Sequence, residues 1–216
     1  MTNKLLNIIK SKYPLTELDV GGFATLKANG MKFTVEAYKA EGLGHVSVMK
    51  AKGFFGLMEM DTLIINPTEI DLPLYSYDRI FAMGNDTLIV ELYDTLIGEY
   101  SDAELESVKA KPKFSCVPER DPGEHWYDGI KLSSSISKKG KKKHTNCLHS
   151  LADKHFEAYI HSSKTPVEDK SAKQKKASVY VEGLLEKGGP STDVFKKALG
   201  EEKTAKLFRE VLFGTK

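Results

Sequence analysis

Residues 75–93 read YSYDRIFAMGNDTLIVELY, and this stretch decides the fold class. Two segments rich in aromatic and β-branched residues, Tyr75–Met83 and Thr87–Tyr93, flank the strong turn formers Gly84-Asn85-Asp86. This arrangement predicts a β-hairpin. The long apolar segment Phe54–Ile65 comes before it and is closed by Asn66-Pro67, which predicts a further strand beside the hairpin.

Closer to the N-terminus, apolar and polar residues alternate from Lys32 onward, and Glu41–Gly44 offers a turn before a strand through Val46 and Val48. A short helix containing Leu5, Ile8 and Ile9 should precede these strands and end before Pro14. The first half of the chain is therefore predicted to be a β-meander preceded by one helix.

The second half has a helical pattern. A loop is predicted over residues 112–129, and helices over 172–187, over 192–199 behind a Ser191 cap, and over 201–212 after Gly200. An amphipathic stripe is formed by Leu148, Leu151, Ala152, His155, Phe156, Tyr159 and Ile160. Strands followed by helices predict an α+β fold, with helices from both ends covering the sheet. We expect one domain over residues 1–216, with a sheet core at about 30–97 and a helical part at about 146–213.

Composition restricts the function. The net charge of +2 arises from 32 basic and 30 acidic residues, a balance that argues against a nucleic-acid binder. Cys116 and Cys147 form no CxxC pair, so no structural zinc or iron–sulfur cluster is expected. No signal peptide and no run of about 18 apolar residues is found. We therefore expect a cytoplasmic protein with reduced thiols and no membrane partner.

Three acidic residues are candidates for chemistry. Glu59 and Asp61 lie two positions apart on a strand, which places their carboxylates on one face roughly 7 Å apart. Covering helices would raise the pKa of at least one of them, whereas a solvated strand end would leave both ordinary. Asp78 stands among aromatic residues at the start of a strand. It is either a carboxyl with a raised pKa or an edge-strand aspartate paired with Arg79.

Other residues allow two interpretations each. Tyr75, Tyr77 and Trp126 either line a site for a flat ligand or belong to the core. The lysine-rich run 138–144 is either a mobile solvated loop or a contact for an acidic partner. The run ends at His144; this residue, His149 and His155 are expected to be surface or core histidines rather than ligands.

Four segments resemble one protein family. Residues 66–78, NPTEIDLPLYSYD, are similar to the core of the ferredoxin-dependent bilin reductases, which include the related red chlorophyll catabolite reductase branch. Residues 88–94 resemble the next strand of that family, Glu124-His-Trp126 with Leu132-Ser133 resembles its Trp and Ser segment, and residues 198–213 resemble its closing helix. The segments occur in the family's order and span roughly residues 30–213.

The resemblance implies an α/β/α sandwich with a central antiparallel sheet covered by helices on both faces. An open-chain tetrapyrrole such as biliverdin would bind between the sheet and the C-terminal helices. Reduced ferredoxin or flavodoxin would supply single electrons, side chains would supply protons, and the chain itself would bind no cofactor or metal.

Carried over by position, the resemblance places Asp78 on the family's proton-donating aspartate. Asp61 falls where phycocyanobilin-forming members have a histidine, and Glu59 accompanies it as a second candidate acid. Tyr75, Tyr77, Arg79 and Trp126 are the candidate substrate-binding residues. A second aspartate of many members would fall near residues 188–190, which read Gly-Gly-Pro, and nearby Asp193 is not assigned its role.

Two alternatives remain open for the function. The chain could be a reductase that acts on a chlorophyll or haem breakdown product, since the same fold supports that reaction. It could also be a non-catalytic tetrapyrrole-binding protein, because the second aspartate is missing and the histidine position is substituted.

Overall fold

A computed structural model describes residues 2–216. The strands are β1 (Leu15–Leu18), β2 (Thr25–Ala28), β3 (Met31–Ala40), β4 (Gly44–Gly53), β5 (Met58–Pro67), β6 (Leu74–Ala82), β7 (Asn85–Tyr93) and β8 (Ile136–Lys141). The helices are α1 (Thr2–Lys10), α2 (Ala103–Lys109), α3 (Thr145–His161), α4 (Lys170–Lys187), α5 (Pro190–Leu199) and α6 (Glu201–Lys206), and a π-helical turn (Leu207–Leu212) continues α6.

The eight strands form one open antiparallel sheet in the order β1-β3-β4-β5-β6-β7-β8, with β2 also paired to β3. From β3 to β7, each strand pairs with the next along the chain, which confirms the predicted β-meander. Local hairpins suffice for this topology because short turns join neighbouring antiparallel strands. In the register, Asp78 on β6 lies opposite Thr62 on β5 and Ile89 on β7.

Helices cover both faces of the sheet, so the predicted α+β sandwich is confirmed. Because side chains alternate along a strand, each strand sends one set of residues to each face. The first face packs against α1, α2 and α3, through residues such as Val48, Leu63, Tyr75 and Val90. The second face packs against α4, α5 and the π-helical turn; its side chains include Phe33, Val35, Met49, Ile64 and Tyr93.

Helix α3 follows its predicted stripe closely, because the seven residues of the stripe are all buried. His155 is a core histidine: its Nε2 lies 2.9 Å from the carbonyl oxygen of Ser134, and burial lowers the pKa of the imidazole to about 4. His149 on the same helix is exposed. These placements agree with the expectation of surface or core histidines.

The lysine-rich run differs from the predicted solvated loop. Residues 136–141 form strand β8 at the sheet edge, and the side chain of Lys138 points into the protein. Lys138 is only 4% exposed; its Nζ donates to the carbonyl oxygen of Val117 at 3.0 Å and to Glu119. Pairing with β7 over six residues overrides the low strand propensity of lysine and glycine. Strands β1 and β2, of four residues each, were not predicted either.

The start of α5 also differs from prediction. The helix begins at Pro190 with Gly189 as its cap, and Ser191 lies inside the first turn. Proline suits this position because its missing N–H is one that the first turn leaves unbonded. Gly200 separates this helix from α6, as predicted. Its φ is +82°, a backbone conformation that residues other than glycine rarely adopt.

Polar side chains of β4 and β5 fasten the C-terminal turn to the sheet. His45 Nε2 lies 2.8 Å from the carbonyl oxygen of Val211, and Ser47 Oγ donates to that of Leu212 at 2.7 Å. Asn66 Nδ2 donates to the carbonyl oxygen of Phe213 at 2.8 Å. These bonds satisfy carbonyl groups that the end of a helix leaves without partners.

No helix within residues 2–216 combines the length and apolar character needed to cross a bilayer.

Candidate active site

A cavity of about 330 Å³ lies between the second face of the sheet and the helices that cover it. This volume is within the range of about 300–1,000 Å³ that is usual for small-molecule sites. The sheet contributes a floor of mostly apolar side chains, namely Met31, Phe33, Met49, Met58, Met60, Thr62, Ile64, Ser76, Asp78, Ile80, Ile89, Glu91 and Tyr93. The opposite wall comes from α4, α5 and the π-helical turn, and the 118–129 loop closes one side.

Asp78 is an acid on this floor. Strand β6 positions it opposite Thr62, whose Oγ1 donates a hydrogen bond of 2.5 Å to Asp78 Oδ1. Burial raises the pKa of Asp78 to about 6, the bond from Thr62 opposes that rise, and the charge of Glu91 adds to it. A carboxyl with this pKa is partly protonated near neutral pH and can donate a proton to a ligand above it.

Glu91 is a second carboxylate on the cavity floor. It lies on β7 opposite Ser76, so its side chain projects from the same face as Asp78. Tyr93 donates its hydroxyl proton to Glu91 Oε2 at 2.6 Å, and Lys131 Nζ lies 3.9 Å from Oε1. The floor therefore carries two acids in different surroundings.

Aromatic rings form one wall of the cavity. Tyr93 and Tyr180 lie with ring centroids 4.2 Å apart, and Tyr127 packs edge-on against Tyr93 at 5.6 Å. Such faces suit a flat conjugated ligand. Trp126 stands behind this wall, where its indole Nε1 donates to the carbonyl oxygen of Gly188 at 3.0 Å. Its ring fills the space beside Gly183, where an added Cβ would lie 2.2 Å from the indole.

Two basic side chains from the 118–129 loop reach the cavity. Arg120 is anchored by a 3.2 Å bond from Nη1 to Ser137 Oγ, and His125 stacks on Tyr127 with ring centroids 4.8 Å apart. Both can interact with an anionic group of a ligand.

Glu59 and Asp61 do share one strand face, but that face is the first one, away from the cavity. The structure therefore does not place Glu59 and Asp61 beside Asp78, as was predicted. Side chains alternate along a strand, and the neighbouring residue Thr62 points toward Asp78 instead. Glu59 is solvated, with its side chain 52% exposed and 3.0 Å from Lys52 Nζ. Asp61 lies opposite Arg79 in the register and lines a separate polar recess beside α3.

Tyr75, Tyr77 and Arg79 also point to the first face, so the structure does not bring them to the cavity. Tyr75 packs on Tyr159 with ring centroids 4.5 Å apart, and both predicted tyrosines are fully buried in that core. Arg79 pairs with Asp86 through two nitrogens, which removes the alternative that it is the partner of Asp78. Of the predicted site residues, only Asp78 lines the cavity, and Trp126 supports its aromatic wall.

The segment 188–190 does line the cavity, through Gly189 and Pro190, without any carboxylate of its own. Asp193 is not among the lining residues; its carboxylate lies beside Gly188 instead, about 3.0 Å from where a Cβ on that glycine would stand. The structure thus gives Asp193 no place in the cavity.

Sequence reasoning missed Thr62, Glu91, Tyr93, Tyr127 and Tyr180 as cavity residues. Alternation puts Thr62 on one face with Met58, Met60 and Ile64, but which face carries the cavity depends on which helices pack there. That choice is set by long-range packing, for which no local signal exists.

Comparison with known proteins bears on the fold. No family model and no curated protein matches this chain by sequence. A solved structure does match it, phytochromobilin synthase from tomato in complex with biliverdin, with a TM-score of 0.72 and 15% sequence identity. The alignment covers all of this chain and 83% of the tomato protein's chain. The chain therefore has the α/β/α sandwich fold of phytochromobilin synthase.

Proposed function

We propose that this chain binds a linear tetrapyrrole in the cavity and reduces it with single electrons from reduced ferredoxin or flavodoxin, Asp78 acting as a proton donor. The observation that carries the proposal is Asp78 itself: a carboxyl with a pKa of about 6 on the cavity floor, between apolar side chains and the aromatic wall. A protein of the same fold has been solved with biliverdin, which identifies the chemical class of ligand to be tested.

The cavity suits such a pigment in three ways. Its floor is mainly apolar, its aromatic wall offers ring faces for stacking, and Arg120 and His125 offer positive groups for the acidic side chains of a tetrapyrrole. Reduction of one double bond needs two electrons and two protons. The electrons come from the donor protein one at a time, and the protein must supply the protons at defined positions.

In the proposed reaction, Asp78 transfers its proton to the pigment after the bound pigment has accepted an electron from the donor protein. Thr62 holds the resulting carboxylate through the hydrogen bond it already donates. Methionines and isoleucines line the cavity around Asp78, and a pigment bound against them would displace water, so that the aspartate is the proton source next to the pigment. Proton uptake from solvent then restores the acid.

One observation favours a second candidate function, a tetrapyrrole-binding protein without turnover. Residues 188–190 contribute only glycine and proline to the cavity, so a second acid is missing where the resemblance would place one. Binding would then depend on the same walls, and Asp78 would not be consumed as an acid.

The deciding experiment is an anaerobic absorbance assay with purified protein, biliverdin and a reduced ferredoxin system. We expect the pigment band to shift on mixing and to convert after reduction. Asp78→Asn should keep the first shift and lower the conversion rate at least about 100-fold, the usual contribution of a general acid. Asp61→Asn is the matched control, because it removes the same group from the other face of the sheet.

Each function gives a different outcome in this assay. A band shift without conversion supports the binding protein, and conversion of another open-chain pigment but not of biliverdin identifies a different substrate. Wild-type conversion by Asp78→Asn would show that Asp78 is not the proton donor.

A further inference from the structure

Glu91 is a cavity carboxylate that the proposed reaction leaves without a role. In the register, Asp78 pairs with Ile89 and Ser76 pairs with Glu91, so Asp78 and Glu91 are diagonal neighbours on one face of adjacent strands. Diagonal pairs of this kind lie roughly 7 Å apart. At that distance the charge of one group affects protonation of the other, and the charge of Glu91 raises the pKa of Asp78.

Two polar groups contact the Glu91 carboxylate. It accepts a 2.6 Å hydrogen bond from Tyr93 and has the ammonium of Lys131 3.9 Å away, while its side chain is only 17% exposed. Asp78 instead accepts a bond from the Thr62 hydroxyl, and within residues 2–216 no cation is found among its partners.

We propose that Glu91 is a positioning residue that keeps the proton on Asp78: its fixed negative charge disfavours a second negative charge on the cavity floor. Thr62 acts in the opposite direction, because the hydrogen bond it donates favours ionised Asp78. Burial is the larger influence, and the balance between Glu91 and Thr62 adjusts the pH range in which Asp78 is loaded with a proton. The role of Glu91 in catalysis rests on the proposed function, whereas its effect on the protonation of Asp78 does not depend on that function.

Other titratable groups line the same cavity as Asp78 and belong to the same balance. They are Tyr93 on β7, Tyr180 on α4, and Arg120, His125 and Tyr127 on the loop. Burial raises the pKa of each of the three tyrosines above its ordinary value, so these rings stay neutral at physiological pH. Arg120 adds positive charge on the loop side, and among the lining residues within 2–216 Glu91 is the carboxylate beside Asp78.

The test is a titration of Asp78 by carboxyl-carbon NMR in the ligand-free protein, compared with the pH dependence of biliverdin conversion. We expect Glu91→Gln to lower the midpoint of the Asp78 titration by about half a pH unit or more, and Thr62→Val to raise it. The pH at which conversion falls to half should move with each midpoint. Glu59→Gln is the control, since it makes the same change on the solvated side of β5.

Glutamine keeps the shape of Glu91 and an oxygen that accepts the Tyr93 bond, and Glu91→Ala gives a second measure if the amide disturbs folding. An unchanged Asp78 midpoint in both variants would overturn the proposal. A shifted midpoint in a protein that never converts biliverdin would support the Glu91 effect while contradicting the reductase function.

Discussion

At the scale of single residues, strand alternation assigns opposite roles to neighbours in the chain. Tyr77, Asp78 and Arg79 are consecutive, yet only Asp78 enters the cavity, while the flanking pair belongs to the core of the other face. Arg79 pairs with Asp86 on the other face and so does not act as the counter-charge of Asp78. The acid therefore owes its proton affinity to burial as well as to a neighbour that is turned away from it.

Asp78 should destabilise the folded protein at neutral pH. Its folded pKa of about 6 exceeds the ordinary value of 3.8, so between those values the folded protein holds a proton that the unfolded chain has released. The free energy of unfolding therefore falls as pH rises through this window, by up to about 3 kcal/mol. We expect Asp78→Asn to be more stable than wild type at pH 7.5 and equal to it near pH 4.

Urea unfolding at the two pH values measures this difference, with Glu59→Gln as the control that leaves it unchanged. A less stable Asp78→Asn protein at pH 7.5 would contradict the origin of the raised pKa in burial.

At the scale of elements, Asp71 joins three segments that the sheet does not hold. It forms a 2.9 Å ion pair with Lys173 of α4, and it accepts bonds from the backbone N–H groups of Ile97 and Gly98 after β7. Both side chains of the ion pair are almost fully buried. Lys173 Nζ also donates to the carbonyl oxygen of Leu72. Helix α4 is thereby fixed to the loop that leads into β6.

Asp71→Ala should destabilise the protein by about 3–5 kcal/mol, because it leaves a buried ammonium without its counter-charge. Lys4→Ala removes an exposed pair with Asp153 and should cost about 1 kcal/mol or less. Chemical denaturation of the two variants measures both values. Equal losses would mean that Lys173 finds another partner or water when Asp71 is removed.

The free thiols of Cys116, in the loop over residues 112–129, and Cys147, in the first turn of α3, are in contact. Their sulfurs lie 3.1 Å apart, and both thiols also lie within 3.4 Å of the carbonyl oxygen of Lys113. Glutathione disulfide should therefore convert the pair to a disulfide by thiol exchange, with two hydrogens lost from the protein and glutathione reduced. Intact-mass spectrometry should show a loss of about 2 Da relative to the reduced protein.

The Cys147→Ser variant should instead gain one glutathione at Cys116, which is exposed. Detection of glutathione adducts but no cross-link in the wild-type protein would show that the two sulfurs do not meet in solution.

The elements that could be predicted from the sequence are those whose patterns involve neighbouring residues, and the elements that were missed depend on long-range pairing. The β-meander from β3 to β7 and the stripe of α3 follow from alternation and helical spacing, which are properties of neighbouring residues. Strand β8 contains three lysines and a glycine, so only its pairing with β7 makes it a strand. Asp78 became a candidate through its aromatic surroundings in sequence together with the family resemblance, whereas the placement of Thr62 and Glu91 depends on strand register, which spans the whole sheet.

At the scale of the whole molecule, the two faces of the sheet differ: one carries a packed core and the other carries the cavity. The first face forms a dense core with α1, α2 and α3, and it contains the fully buried Tyr75, Tyr77 and Tyr159. The second face supports the cavity and is covered by α4, α5 and the π-helical turn. Substitutions on the first face should change stability, and substitutions on the floor of the cavity should change ligand binding.

The single tryptophan offers a direct measure of ligand binding. Trp126 stands behind Tyr127 and Tyr180, with ring centroids 5.3 and 6.0 Å away, and therefore one aromatic layer from the cavity. Biliverdin bound in the cavity should quench its fluorescence in a saturable way. Trp126→Phe removes the signal and serves as the background. Linear quenching, equal to that of free tryptophan, would mean that the pigment binds elsewhere or not at all.

The cavity has a consequence for the rates of local opening. Helix α5 and the π-helical turn both border the cavity, so neither packs on a filled core there. Polar side chains of β4 and β5 hold the end of the π-helical turn to the sheet. Amide groups of α5 should therefore exchange with deuterium by local unfolding at a lower free energy than those of α3, which packs on a filled core. A pigment that enters through such openings would associate at a rate limited by how often α5 opens, rather than by diffusion alone.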